Sequence, residues 1–392
     1  MLTILVAPDS FKGSLTAKQA AGQMVAGITD VMPDARIFKF PIADGGEGTT
    51  ECIIDAVGGQ IIEKNVTAPL GDPVMGFYGI LKDSRTAIIE VASASGLCLV
   101  PEGKRNPLLA TSYGTGELIR AALDSGCREI FIGLGGSATI DAGAGILQAL
   151  GAHLLDREGR EIGRGAAGLI RLEQIDLSTV DNRLSQTAIT LGYDVDNPLC
   201  GPMGASTVYG PQKGATLEMT RKIEIALQRF MDVVRQMGKD LSGIPGTGAA
   251  GGIATGLSLV GATTVPGLEK ILDMVGIKKV LSNYGVHVAL TGEGEFNSQS
   301  FRGKAPVGVA RLAKKYNIPT VVLTGSIGQG IENAAEEGIE AIVCIVPRPM
   351  ELGDAIIGAQ EYLRAATART IKLIGLGYSL RCDQAGQKGA MI

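Results

Sequence analysis

The stretch Arg128-Glu-Ile-Phe-Ile-Gly-Leu-Gly-Gly-Ser-Ala-Thr-Ile-Asp-Ala-Gly-Ala-Gly-Ile-Leu-Gln-Ala-Leu-Gly151 decides the fold class. Glu129 to Gly133 form a short apolar run that reads as a buried strand, Gly135 to Asp141 as a tight turn, and Ala142 to Leu150 as a helix closed by Gly151. Strand, glycine turn and helix in that order build an anion cradle. Glycines admit close backbone approach, Ser137 and Thr139 offer hydroxyl donors, and the first amides of a helix point at a ligand with the positive end of its dipole. The same pattern also arises where a glycine turn only packs a helix on a strand, and spacing alone leaves both readings open.

Working outward, Leu2 to Ala7 read as a buried strand. The Asp9-Ser-Phe-Lys-Gly-Ser loop leads into a helix from Ala17 to Ile28, with Thr16 and Gln19 spaced as a capping box. Arg36 to Ile42 read as the next strand, Ala43-Asp-Gly-Gly-Glu-Gly-Thr as its exit loop, and Thr50 to Val57 as a helix. Asp9, Lys12, Asp44 and Glu47 are thereby expected at the carboxyl ends of adjacent parallel strands, where open α/β sheets bind ligands. From Ile61 the pattern turns antiparallel, with a hairpin expected from Met75 to Leu81 and Thr86 to Val91. Thr115 to Ser125 read as a helix, and Ala152 to Leu155 with the turn at 156 to 160 as a second hairpin. Thr187 to Val195 read as a strand running into Asp194-Val-Asp-Asn-Pro. Gly210-Pro-Gln-Lys-Gly precedes the longest expected helix, Leu217 to Met237, whose amino end is read as free for an anion, and a second glycine turn and helix span Gly243 to Gly261. After a strand at Val286 to Leu290, helices at 307–316, 331–337 and 354–374 alternate with strands at 319–324 and 341–346. This alternation predicts a parallel sheet. The expected organisation is a discontinuous parallel α/β domain, 1–62 with 284–380, a mixed α/β domain inserted at 63–283, and a frayed tail at 381–392.

Composition narrows the function. The chain has 392 residues, room for two to three domains of about 150 residues each. Net charge is -4 with both signs interspersed, and aromatic residues are 4% with no Trp. No basic face and no stacking platform therefore points to nucleic acid. No segment approaches the roughly 18 apolar residues of a membrane span, and the amino terminus lacks a basic leader, so a cytoplasmic protein is expected. Six scattered cysteines read as reduced thiols, and no histidine metal site is expected of two histidines. Gly133, Gly135 and Ala138 fit a dinucleotide fingerprint with Asp156 at ribose distance, which keeps a nicotinamide-dependent dehydrogenase as an alternative, although Gly246, Gly248 and Gly251 fit it equally without a strand. No Walker loop occurs. Acidic residues in glycine turns are the stronger signal: Asp9, Asp44, Glu47, Asp141, Asp194 and Glu293, together with Lys12, Lys213 and Lys304. Phosphoryl transfer needs this set, with carboxylates for Mg²⁺ and for a base, and lysines for phosphate charge.

The blocks Ala7-Pro-Asp-Ser-Phe-Lys-Gly-Ser-Leu, Ala43-Asp-Gly-Gly-Glu-Gly-Thr, Gly135-Gly-Ser-Ala-Thr, Asp196-Asn-Pro-Leu with Gly204-Ala-Ser, Gly210-Pro-Gln-Lys-Gly-Ala and Thr291-Gly-Glu-Gly resemble the bacterial glycerate kinase family. They stand in that family's order from about Met1 to Ile374. The resemblance implies a flavodoxin-like domain with an inserted α/β domain, an active site in the cleft between them, and MgATP-dependent phosphorylation of glycerate, usually at the 2-hydroxyl. Two blocks depart from the family pattern. Glu295 and Asn297 stand where Arg and Asp are usual, and Ile140 and Ala142 where Asn and Gly are common. The first pair reverses a charge and removes a possible base, because an amide cannot accept a hydroxyl proton.

The residues expected to act are therefore these. Gly135, Gly136, Ser137 and Thr139 would cradle an anion, with Asp141 and Asn197 nearby. Lys12, Lys213 and Lys304 would neutralise phosphate and acid. Asp194, Asp44 or Glu293 would hold Mg²⁺, one of these carboxylates or Asp9 would take the hydroxyl proton, Glu47 would support them, and Asn297 and Gln299 would orient substrate. ATP and glycerate are the expected small-molecule partners. A paralogue that binds a hydroxy acid or nucleotide without turnover is the alternative that Glu295 and Asn297 motivate.

Overall fold

The computed structural model describes residues 1–241, 244–301 and 303–389, without side-chain detail from 378 onward. Its strands are β1 (Thr3–Val6), β2 (Arg36–Lys39), β3 (Gly59–Thr67), β4 (Pro73–Leu81), β5 (Thr86–Glu90), β6 (Glu129–Gly133), β7 (His153–Leu155), β8 (Gln174–Asp176), β9 (Ala188–Tyr193), β10 (Thr263–Pro266), β11 (Val288–Phe296), β12 (Thr320–Ile327) and β13 (Ile339–Cys344). The chain divides into two compact units, Met1–Ala43 with Val275–Ile392, and Asp44–Met274.

The discontinuous unit holds one sheet of order β13-β12-β11-β1-β2, parallel at every pairing. Counted within this unit the order is 2-1-3-4-5, the flavodoxin-like winding, whose switch point falls between β1 and β11. Apolar runs such as Thr3-Ile-Leu-Val make β1 fully buried, as a strand covered on both faces requires. Helix α1 (Ala17–Thr29) starts with the expected capping box: Gln19 N–H donates to Thr16 Oγ1 at 3.2 Å, and Thr16 N–H donates to Gln19 Oε1 at 2.9 Å. The core gathers Ile4, Val6, Met24, Ile28, Leu290, Leu323 and Leu363. The expected helix at 331–337 is a single 3₁₀ turn, Ala334–Glu337. The expected frayed tail is helical as far as Gly389, and residues 390–392 lie outside the described residues.

The inserted unit holds a sheet of order β10-β9-β6-β5-β4-β3. Strands β5, β6, β9 and β10 run parallel, and β4 and β3 extend them antiparallel, so the expected hairpin is β4 with β5. Strand β7 pairs with β8 rather than closing a hairpin through the 156–160 turn, where only a single bridge joins Leu155 to Glu161. The first division of the chain lies at 43/44 and not at 62/63, because helix α2 (Thr49–Val57) packs on β3, β4 and β5. The long helix Leu217–Gln236 buries Ile223, Leu227, Phe230 and Val234 on one stripe. Gly243, where the second glycine turn was expected to open, lies outside the described residues; a 3₁₀ turn at Ala249–Gly251 and a helix at Ile253–Ser258 follow it. No helix among the described residues is long and apolar enough to cross a membrane.

Candidate active site

In the inserted unit β5, β6 and β9 end level with one another, Glu90 beside Gly133 and Gly133 beside Gly192. Against these ends runs the 44–48 loop. The Gly135 amide donates to the Gly45 carbonyl at 3.1 Å. A Cβ on Gly133 would lie 2.4 Å from Gly45 O, and one on Gly135 would lie 2.6 Å from Gly46 Cα. These two glycines therefore serve a backbone-to-backbone approach that no side chain permits.

The turn beyond them differs from the sequence reading. Ala142 and Gly143 take left-handed φ values of 54° and 73°, so the helix is Ala144–Ala149 and not Ala142 to Leu150. Its first amides are already engaged. Gly143 and Gly145 N–H donate to the Asp141 carboxylate at 3.2 and 3.3 Å, and Ile146 N–H donates to Ser112 Oγ at 3.2 Å. Asp141 is fully buried and also accepts Ser112 N–H at 2.8 Å and Ser112 Oγ–H at 2.9 Å. Burial pushes its pKa up, against the pull of these donors. Three of these four donors meet Oδ2 and one meets Oδ1, so both oxygens of the carboxylate are engaged. The anion at this helix start is thus the chain's own Asp141, which caps the turn.

Ser137, Thr139 and Lys213 do come together. The Gly210-Pro-Gln-Lys turn closes as a 3₁₀ helix, Pro211–Lys213, and delivers Lys213 at only 4% exposure. Its Nζ donates to Ser137 Oγ at 2.8 Å and to the Thr139 carbonyl at 2.9 Å. Burial pulls the ammonium pKa down to about 7, against the charges of Asp141 and Asp194. Asp194 follows β9. Crowding by protein atoms, then the Asp44 charge, push its carboxyl up to about 6, while Lys213 pulls the other way. Asp194 as a residue is exposed, while its carboxyl is crowded by the surrounding protein. Asp44 is half-buried and accepts Gly46 N–H at 3.3 Å, and Glu47 is the single exposed residue between Pro41 and Thr50.

Asn197 is committed to the fold. Its Nδ2 donates to the Met203 carbonyl at 2.8 Å and its Oδ1 accepts Tyr209 Oη–H at 2.6 Å. Tyr209, which the sequence reading passed over, has its pKa pushed up to about 12 by burial and then by the Asp194 charge. No motif marks it. Glu90 was also missed, although a lone acid in the apolar run Thr86-Ala-Ile-Ile-Glu-Val signals a buried carboxylate.

The discontinuous unit carries its own cluster beside the switch point. Glu293 of β11 is 4% exposed; its Oε1 accepts Ser300 Oγ–H at 2.5 Å and its Oε2 accepts Lys304 Nζ–H at 3.0 Å. Lys304 is held as the residue before helix Ala305–Lys314. Asp9 N–H donates to the Gly292 carbonyl at 2.9 Å, which ties the loop after β1 to β11, and exposed Lys12 follows in that loop. Asn297 Oδ1 accepts the Gln299 amide at 2.9 Å and its own amide donates to Ser300 Oγ at 3.2 Å, so its side chain caps the turn after β11. Gln299 and Glu295 are exposed.

The glycerate kinase family model matches residues 4–375. The chain belongs to the glycerate kinase family. It is 46% identical over 372 residues to the glycerate kinase of Bacillus subtilis, covering 94% of this chain and 97% of that one. It is 41% identical over 378 residues to the glycerate 2-kinase of Escherichia coli, covering 96% and 99%. A crystal structure assigned as glycerate kinase 2 from Salmonella typhimurium superposes with a TM-score of 0.85 at 42% identity, covering 97% of this chain and all of that one. Within this glycerate kinase family member the Ile140 side chain is fully buried in an apolar cluster with Ala144, Leu147 and Leu199. The dehydrogenase alternative is overturned by the family membership, and Asp156 caps its own turn by accepting the Glu158 and Arg160 amides at 3.0 Å each.

Proposed function

We propose that this chain transfers the terminal phosphoryl group of ATP to glycerate, with the 2-hydroxyl as acceptor. The observation that carries the reading is family membership over nearly the whole chain, together with the glycerate 2-kinase relative of Escherichia coli. The geometry supports the same chemistry. Lys213 has three N–H donors and uses two on Ser137 and Thr139, which leaves one for a phosphate or carboxylate oxygen. With its pKa near 7, an arriving anion favours its charged form. Asp194, with a pKa near 6, is ionised at neutral pH, as either a metal ligand or an acceptor of the hydroxyl proton must be.

Magnesium fits the residues present. Among the described residues no group of three or more acidic, histidine or cysteine side chains forms a cage. Mg²⁺ instead takes one or two carboxylates plus substrate phosphates, and the Asp44 charge lies close enough to Asp194 to raise its pKa. These two would hold the ion, with Glu293 as the candidate in the other unit. When bound, the ion would neutralise charge on the transferring phosphoryl group. Lys304, paired with Glu293, and Lys12 and Asp9 are candidates for the substrate acid and nucleotide phosphates.

The experiment is ADP release from the purified chain with MgATP and D-glycerate, run beside Asn297→Asp. Turnover by the unaltered chain is the expected result and removes residue 297 from the required bases. Turnover by the variant alone would make Asn297 the cause of silence. No ADP from either chain would overturn the reading in favour of binding without turnover.

A further inference from the structure

Glu90 ends β5 and is 2% exposed. Its Oε1 accepts the Thr50 amide at 2.6 Å and its Oε2 accepts the Gly48 amide at 3.2 Å. Burial pushes its pKa up while these amides pull it down. The charge is thus answered by the amino end of α2, a nine-residue helix whose first cap, Gly48, stands at φ 86° and has no side chain to offer. Glu90 supplies from the neighbouring strand the oxygen that a Ser or Asp cap would supply from within the helix. At its other end the same loop is held by Gly135 N–H on the Gly45 carbonyl and by Gly46 N–H on Asp44 Oδ1. Between the two pins one exposed side chain projects, Glu47, and Asp44 lies close enough to Asp194 to raise its pKa.

We propose that Glu90 is a positioning residue for phosphoryl transfer: through the amides of Gly48 and Thr50 it fixes the loop that presents Asp44 and Glu47. The inference rests on the kinase reading above for its catalytic half and on the hydrogen bonds alone for its structural half. An alanine would merely open a hole, so the informative change is Glu90→Gln, which keeps the volume and turns one acceptor into an amide NH₂ donor facing an N–H. Misplacing a reacting group by about an ångström costs on the order of 100-fold.

The test joins glycerate-dependent ADP release with hydrogen exchange of the 46–52 backbone amides. Glu90→Gln is expected to lower kcat by at least about tenfold, to leave KM for ATP within about threefold, to speed exchange at Gly48 and Thr50, and to lower the thermal midpoint because a buried N–H loses its acceptor. Glu90→Asp, which keeps both acceptors one methylene short, should recover part of kcat. If Glu90→Gln keeps wild-type kcat and exchange, the proposal is overturned. If Glu90→Gln does not fold, Glu90→Asp and the protection of Gly48 and Thr50 in the unaltered chain decide it, and unprotected amides there refute it. An unaltered chain that releases no ADP refutes the kinase reading, and the exchange data still settle whether Glu90 holds the loop.

Discussion

Replacing Lys213 with methionine keeps the length of the side chain and removes its charge from a site where only 4% of the residue meets solvent. The ammonium pKa falls from an ordinary 10.5 to about 7, mainly through burial. That drop corresponds to about 5 kcal/mol for keeping the charge in the folded chain. Below about pH 7 the folded and unfolded chains are both charged, and the folded state bears the whole of that cost. As pH rises, the folded chain releases its proton first. The stability linked to Lys213 is therefore complete above the unfolded pKa and lost as pH falls through about 7. Loss of the hydrogen bonds to Ser137 and Thr139 destabilises Lys213→Met at every pH and cancels when two pH values are compared. Between about pH 9 and about pH 6 the stability of the variant relative to the unaltered chain should improve by roughly 3 kcal/mol. Urea denaturation of both chains at the two pH values measures this directly, and ADP release should fall at least about 100-fold in the variant. A stability difference constant within about 1 kcal/mol would refute the account of a buried, depressed lysine.

Two further outcomes follow from the same unit. Asp141→Ala leaves four donors from Ser112, Gly143 and Gly145 without an acceptor, so it should cost about 3–5 kcal/mol in urea denaturation, with Asp141→Asn costing about half; a loss under about 1 kcal/mol for the alanine would show that the carboxylate does not hold the turn. In the metal-free chain Asp194 should gain a proton as pH falls through about 6, and carboxyl titration by NMR in Asp44→Asn should place it lower because one raising charge is gone. An Asp194 midpoint unmoved by that change would remove Asp44 as a cause.

Much of the fold was legible because its signals are local. The apolar run of β1 and the Thr16 and Gln19 spacing each depend on residues within one element, and each is present as read, while the alternation after β11 keeps its parallel strands with the 331–337 helix reduced to one 3₁₀ turn. The glycine turn at 133–141 was legible as a turn. What the spacing did not show is that Gly133 and Gly135 answer the approach of the 44–48 loop and that the amides of Gly143 and Gly145 answer Asp141. The compact units begin at Asp44 and not after residue 62 because α2 packs on strands that come later in the chain.

The sequence by itself determined the α/β class, the glycine turns with their carboxylates, and the family through motif blocks spread from Ala7 to Gly294. Only the tertiary structure decided what each polar group does. Lys213 meets Ser137 across 76 positions, and Glu90 meets Thr50 across 40. Such partners, and the burial that moves the pKa values of Lys213, Asp194 and Asp141, are set by where strands end in a sheet. Hydrogen bonding and desolvation act through space over a few ångströms, so spacing along the chain carries no record of them.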